Sequence, residues 1–434
     1  PAKLRESRLG GGLELDQIKA EVHGLVGWED HNFLGDLRDF SIDFKPGVVL
    51  YPTRIDHLVS PTNYLLEERL RVQLRMPGLI EPRTTLFVRP EMNVYPLLVT
   101  PNPDPSEPVV GYIEPKGAIG LDRRFGSHLV VTLAHNVQSE IPFFYLVPTV
   151  APMAGQPTPP PAQLPPNAIL SFPQLVTTLD FRDDPIHTHK GLWLSNDLQV
   201  AGGIFGGTAR DVRVAPEVRG YVPVARGVTL AARTQLGFLF GANYGDYSNN
   251  EDIQIMYFRG FFSGGPNSNR GFPLRGIAPH GFVGFLNPAN VNPTTLGCQP
   301  PPGKAPPTNP ECLLPIGGFT QWEASAELRF EVSGPLNAAV FCDAGDVSSR
   351  EFNVRLDHLH MSCGAGIRYD TPVGPIRFDV GYRIPFLQVL GYPNETAVFN
   401  HDPSEGIQPT LFGKTGEVGT GAPIGLSFGV LEAF

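Results

Sequence analysis

The sequence predicts an all-β protein: a transmembrane antiparallel β-barrel of about sixteen strands with short periplasmic turns and long extracellular loops. Three observations carry this expectation. Segments alternate apolar and polar residues with period two, glycine and proline are too frequent for a helical protein, and the connections sort by length. The chain holds 48 glycines and 46 prolines among 434 residues, and both disfavour helix interiors. Charged residues make up 18%, below the roughly 25% of an average soluble domain. The 28 phenylalanines argue against disorder. A net charge of -10 gives no support to nucleic-acid binding. Uncharged runs such as Leu146–Leu179 are broken by prolines, so none supplies the roughly 20 apolar residues of a membrane helix. A chain that begins at Pro1 without methionine or leader is expected to be processed or trimmed, with any upstream domain outside it.

The alternation is plainest in the last third. Trp322, Ala324, Ala326, Leu328 and Phe330 share one side of a strand, and Gln321, Glu323, Ser325, Glu327 and Arg329 share the other. Ile376, Phe378, Val380 and Tyr382 likewise oppose Arg377, Asp379, Gly381 and Arg383. A soluble sandwich would bury the apolar side; a lipid-embedded barrel turns it outward and lines its lumen with the polar side. Near the start, Ala20, Val22, Val26 and Trp28 oppose Lys19, Glu21, His23 and Glu29. Strands are expected at 8–16, 18–29, 38–51, 64–77, 83–95, 109–122, 127–138, 169–182, 188–203, 209–223, 227–241, 317–332, 335–346, 358–370, 374–385 and 423–434. Short connections (His31–Arg38, Asp183–Lys190, Ser333–Gly334, Thr371–Gly374) alternate with long ones (Tyr51–Asn63, Asn136–Asn167, Ala242–Pro315, Ile384–Pro423). A sandwich has no reason to sort its loops in this way, so the pattern favours the barrel.

Two loops are rich in proline, Pro148–Pro166 and Gly297–Cys312. They read as stiff surface loops, with polyproline recognition segments as the alternative. Cys298 and Cys312 bracket the second loop and, if it is extracellular, are disulfide candidates. Cys342 and Cys363 fall on the apolar side of neighbouring strands. They read as small lipid-facing hydrophobes, with a cross-strand pair as the alternative. No CxxC pair or His–Cys cluster points to a metal. Catalytic motifs such as G-x-S-x-G or HExxH are absent, and Asp180, Asp183 and Asp184 read as turn residues.

The longest loop, about 242–315, contains FFSGGPNSNRGFPLRGIAPHG at 261–281. This stretch resembles the sixth extracellular loop of the BamA/TamA superfamily of outer-membrane assembly proteins, which folds back into the barrel with a (V/I)RG(F/Y) tip. The matching residues are Arg270, Gly271 and Phe272, with Asn269 in the place of the family's Val or Ile. FCDAGD at 341–346 is similar to the family's F-x-D-x-G strand. GAGIRYDTPVGPIRFDVGYRIP at 364–385 is similar to its final strand pair, and DFRDDPIHTHKG at 180–191 and WEDHNFLGD at 28–36 to its periplasmic turns. These anchors run through nearly the whole chain in the family's order.

The resemblance implies an outer-membrane, non-enzymatic factor without cofactor. It would fold, insert or translocate β-barrel proteins, with unfolded outer-membrane proteins and the lipid bilayer as its partners. Periplasmic POTRA domains or accessory proteins would lie outside this chain, making 1–434 the barrel portion, somewhat nearer the TamA-like branch. A guanidinium carried into the lumen needs partners. Asp343 would take Arg270, with Phe341 and Gly345 on the same strand, and Glu323, Arg368 and Asp379 would extend the network. Gly271 would permit close backbone approach and Phe272 would pack on the wall. A lateral gate is expected where Gly10, Gly11 and Gly12 of the first strand meet Phe428 and Phe434 of the last, because glycine loosens register. Glycines that merely avoid crowding are the alternative there. A transporter secreting a soluble partner through its lumen, a passive porin or surface receptor, and a soluble sandwich remain as rivals.

Overall fold

A computed structural model describes residues 4–15, 18–54, 58–98, 108–147, 164–247, 249–281, 283, 314–356, 359–371, 374–388 and 424–430. The strands are β1 (Arg5–Leu15), β2 (Ala20–Asp30), β3 (Asp39–Tyr51), β4 (Asn63–Pro77), β5 (Thr84–Pro96), β6 (Val109–Phe125), β7 (Leu129–Leu146), β8 (Ala168–Asp180), β9 (Gly191–Ala201), β10 (Asp211–Ala225), β11 (Val228–Gly241), the short β12 (His280–Gly281) and β13 (Leu314–Pro315), then β14 (Thr320–Ser333), β15 (Leu336–Ser348), β16 (His360–Thr371), β17 (Gly374–Gln388) and β18 (Ile424–Val430). Sixteen of them form one sheet in chain order, and β12 pairs only with β13. Every pairing is antiparallel. Among the described residues β1 pairs with β2 and β18 with β17, and the two do not pair with each other.

Burial is inverted relative to a soluble core. Val340, Ile367, Tyr369, Ile376, Phe378 and Val380 are exposed, while Asp343, Arg368, Arg377 and Asp379 are buried. That is the arrangement of a sheet whose convex side meets lipid and whose concave side holds charge. No helix among the described residues is long and apolar enough to span a membrane. The sheet curls around the segment between β11 and β14. This one segment touches Tyr112 on β6, Asp211 on β10, Asp343 on β15 and Gly425 on β18.

Most strand boundaries follow the sequence expectation closely. The clearest differences are β6, which runs on to Phe125, and β7, which continues through Pro142 to Leu146. The connection expected to open at Asn136 therefore opens ten residues later. Pro142 faces Tyr112 in register, so the proline interrupts the sequence signal without ending the strand. Tight turns use backbone freedom where needed: Gly227 and Gly334 have φ of 67° and 56°, which glycine adopts without strain. The turn after β8 is tied by its acids. Asp184 Oδ1 accepts from the backbone N–H of Ile186 and His187, each at 2.7 Å. Asp183 Oδ1 accepts from Asp184, His189 and Lys190. The His187 and Ile186 donors hold the Asp184 carboxyl below the usual aspartate range.

The cysteine reading needs correction. Cys342 and Cys363 are joined by a disulfide between β15 and β16, not separate lipid-facing hydrophobes. They are directly opposite in register, a relation that alternation within single strands does not reveal. Proteolytic fragments recovered without reductant should therefore include a linked pair containing residues 342 and 363. Two separately alkylated peptides would contradict this. Cys298, Cys312, Phe434 and most of both proline-rich loops lie outside the described residues.

Candidate functional site

The loop between β11 and β14 enters the barrel through a helix, α1 (Asn250–Arg259). Asn249 caps it by accepting from the backbone N–H of Glu251 at 3.0 Å. Beyond Gly260 the chain folds against itself. Phe261 pairs with Gly318, and Ser263 with Ile277, in isolated antiparallel bridges. The segment between them is a compact tip: Phe272 N–H donates to Asn269 O at 3.1 Å, and Gly265 N–H donates to Asn269 O and Phe272 O.

Asn269, Arg270 and Phe272 of this tip are all buried. Arg270 grips Asp343 bidentately, Nε to Oδ2 at 2.8 Å and Nη2 to Oδ1 at 2.9 Å. Its backbone N–H adds a third bond to Oδ2 at 3.1 Å. Nη1 donates to Glu327 Oε2 at 2.5 Å, and the guanidinium carbon lies 3.4 Å from the centre of the Phe341 ring. Glu327 also accepts from Arg368 at 3.1 Å and Arg329 at 2.8 Å. Asp379 accepts from Arg368 at 2.5 Å and Arg377 at 3.1 Å. Arg377 returns to the loop, donating to Pro266 O at 2.8 Å and to Asn267 Oδ1. Carboxylates and guanidiniums thus alternate in contact, which is how charge is retained in a buried site.

Neighbouring residues complete the seat. Asn269 Nδ2 donates to His360 O at 2.9 Å, and its Oδ1 accepts from Ser362 Oγ at 2.6 Å. Ser362 Oγ in turn accepts from Gly271 N–H at 3.0 Å. Where the family's tip has an apolar residue, this chain has a polar one with both amide atoms satisfied. Phe272 packs edge-on to His360, with Arg383 over its ring. Glu323 accepts from Ser268 Oγ, Gln321 and Arg233. Gly345 lies beside Glu323 and Ser263.

Beneath the tip is a floor of bare backbone. Gly364, Gly381 and Gly425 stand in register across β16, β17 and β18. A Cβ on Gly381 would lie 2.7 Å from Arg270 C and Gly271 N, and one on Gly425 would lie 2.4 Å from Arg270 O. Gly271 itself leaves no room, because its Cβ would sit 2.3 Å from Ser362 Cβ. Side chains at Gly381 or Gly425 would hold the loop away from the last two strands, whereas one at Gly364 would collide with Val380 O and the Phe341 ring.

The structure places Arg270, Gly271, Phe272, Phe341, Asp343, Gly345, Glu323, Arg368 and Asp379 close together around the tip. Glu327, Ser362, Arg377 and the glycine row were not singled out. Glu327 was visible as an inward residue, but which inward acid meets the tip depends on how deep the loop reaches. Of the expected seam residues, Gly10, Gly11 and Gly12 lie apart from this network, and Phe434 lies outside the described residues. Gly10, Gly11 and Gly12 are on the exposed strand β1, opposite Leu25, Gly24 and His23. A Cβ at Gly12 would lie 2.7 Å from Nε2 at the tip of the His23 side chain. Phe428 is opposite Phe378 on β17. Among the described residues, Glu14, Glu21 and His23 bring ligand-type atoms within 4.8 Å of one another. Lys19 and Lys45 lie 2.5 and 3.1 Å from Glu21, so ammonium groups already compensate its charge.

A family description, Omp85 superfamily domain, matches residues 167–399. Three solved structures share the fold. BamA from Haemophilus ducreyi lacking POTRA domains 1-3 aligns with a TM-score of 0.62 at 13% identity, covering 88% of this chain and 67% of that one. CdiB from Acinetobacter baumannii aligns at 0.51 and 13%, covering 88% and 57%. CdiB from Escherichia coli aligns at 0.50 and 12%, covering 92% and 61%. The chain thus spans less than two thirds of either CdiB chain.

Proposed function

The chain belongs to the Omp85 superfamily, and from that membership we propose that it is the barrel portion, 1–434, of an outer-membrane assembly factor. In this reading it folds and inserts other β-barrel proteins through a lateral gate between β1 and β18. The activity is non-enzymatic and uses no cofactor. Its partners are unfolded outer-membrane proteins and the bilayer, with POTRA domains or accessory proteins supplied from outside the chain.

One observation carries the reading. β1 and β18 each pair on a single side among the described residues. Leu9 and Leu13 of β1 are 88% and 80% exposed. The outer edge of β1, which pairs on one side only among the described residues, offers N–H and C=O groups as a template for an incoming strand, and β-augmentation would use it directly. The tip network supports the mechanism in a second way. Through Gly425 the loop lies against β18, so seating the tip fixes the position of one lip of the seam. A filled lumen speaks against a passive porin. Secretion of a soluble partner is the second reading, favoured by the likeness to two CdiB structures.

The test is insertion into liposomes. Vesicles holding this barrel should accelerate folding of an unfolded outer-membrane substrate. A cysteine pair joining β1 to β18 should abolish the acceleration until reductant restores it. The barrel without the added pair, treated identically, controls for reduction of Cys342–Cys363. Acceleration that survives the cross-link removes the gate from the mechanism. No acceleration by the uncross-linked barrel counts against insertion, and conductance of the same vesicles then tests the secretion reading.

A further inference from the structure

The buried tip is not the loop's only anchor. Arg259, in the last turn of α1, reaches the wall far from β15. Its Nη2 donates to Asp211 Oδ1 at 2.5 Å, its Nε to Asp211 Oδ2 at 3.1 Å, and its Nη1 to Gln199 Oε1 at 2.7 Å. Tyr244 Oη donates to the same Asp211 Oδ2 at 2.8 Å. The guanidinium carbon stands 4.7 Å from the centre of the Phe172 ring. Arg259, Asp211, Gln199 and Phe172 are all buried. This clamp uses β8, β9 and β10, while the tip seat uses β14 to β18, and the Asp211 and Gln199 that hold Arg259 are distinct from the Asp343 and Glu327 that hold Arg270.

Near the Arg259 anchor, α1 packs an apolar cluster against the inner wall. Ile253, Ile255 and Met256 of α1 pack with Tyr112, Leu239, Tyr247, Phe319 and Ile316 in the largest buried cluster. The Tyr112 ring meets Phe258 edge-on at 5.1 Å. The cluster lies toward the long-loop rim, because Asp211 opens β10 just after the β9–β10 connection and Leu239 lies near the end of β11.

We propose that α1 is a seal that closes the lumen to hydrophilic solutes, latched by Arg259 on Asp211 and separable from the seating of the Arg270 tip. Arg259 is a positioning residue in this device. Removing it leaves the Asp211 carboxylate buried with the charge it was paired to gone, which favours hydration of the site and release of the helix. The seal does not depend on the assembly reading, because a secretion conduit needs one equally.

The experiment is single-barrel conductance in planar bilayers. Arg259→Gln should raise mean conductance on the order of tenfold, as a tenfold change in the closed–open balance would give. A reporter cross-link between Asn269→Cys and Ser362→Cys should still form in that variant, showing the tip seated. A second variant, Gln199→Cys with Arg259→Cys bridged by a disulfide-containing bifunctional thiol reagent long enough to replace the two side chains, should be quiet while bridged and open when reductant cleaves the bridge. The wild type with reductant controls for its own disulfide. Unchanged conductance in Arg259→Gln with the reporter intact would overturn the proposal. So would equal conductance of the double-cysteine variant with the bridge intact and cleaved, and this arm remains decisive if Arg259→Gln does not fold. Loss of the reporter together with opening would merge the seal with the tip and also overturn it.

Discussion

Replacing Arg270 with alanine is expected to unseat the loop tip and abolish the proposed assembly activity, with a stability loss of about 3–5 kcal/mol, the scale for removing one partner of a buried ion pair. The loss is large because of what stays behind. Asp343 receives three bonds, all from Arg270, and becomes a buried carboxylate without its cation. Glu327 is better protected, since Arg368 and Arg329 still reach it. Asp343→Ala should therefore be the milder single change, leaving Arg270 with Glu327 and the Phe341 ring. The double variant should be little worse than Arg270→Ala, because removing both charges leaves no orphan. Lysine at 270 should rescue weakly, since an ammonium cannot reproduce the planar fork. Urea midpoints and insertion rates on the four combinations test this, and additive losses would rule out a direct pair.

Gly425→Val should be as damaging as Arg270→Ala although it adds only apolar atoms. The new Cβ would meet Arg270 O at 2.4 Å, Gly271 C at 2.9 Å and Gly271 Cα at 3.0 Å. These are all backbone-level contacts, so no flexible side chain can swing aside. Either the tip lifts or β18 leaves its place beside β17, and both outcomes disconnect the loop from the seam. Leu426→Val, next along the strand but facing outward, is the matched control and should stay within about 0.5 kcal/mol of the parent. Yield of the 269–362 cross-link reads the tip, and insertion rate reads the seam. A Gly425→Val barrel that keeps both would falsify the close contact.

The barrel was legible because alternation is a local property. Ile376, Phe378 and Val380 declare one face of β17 and Arg377 and Asp379 the other, whatever the strand pairs with. Register is not local, so a Cys342–Cys363 pair could be only the alternative reading from sequence. The end of β7 was misplaced because Pro142 imitates a breaker. α1 escaped notice because a helix surrounded by barrel wall has no water-facing stripe: Ile253, Gln254, Ile255 and Met256 are four consecutive buried residues. At the tip, Arg270 and Asp343 were legible through family resemblance. The glycine row was not, since residues 364, 381 and 425 acquire meaning only when three strands lie side by side.

The wall of this barrel is uneven in its mechanics. Around the tip, the Arg270, Arg368 and Arg377 side chains are 1% exposed. On β4, the Arg69 and Arg71 side chains remain 47% and 38% exposed beside Glu91, where water screens each pair. One arc is therefore stiffened by a dry lattice of arginines and a covalent rung, and the other is compliant and wet. Under strain the compliant arc would bend first. Any widening of the barrel would be taken up there, while the arc that holds the loop moves as a rigid panel.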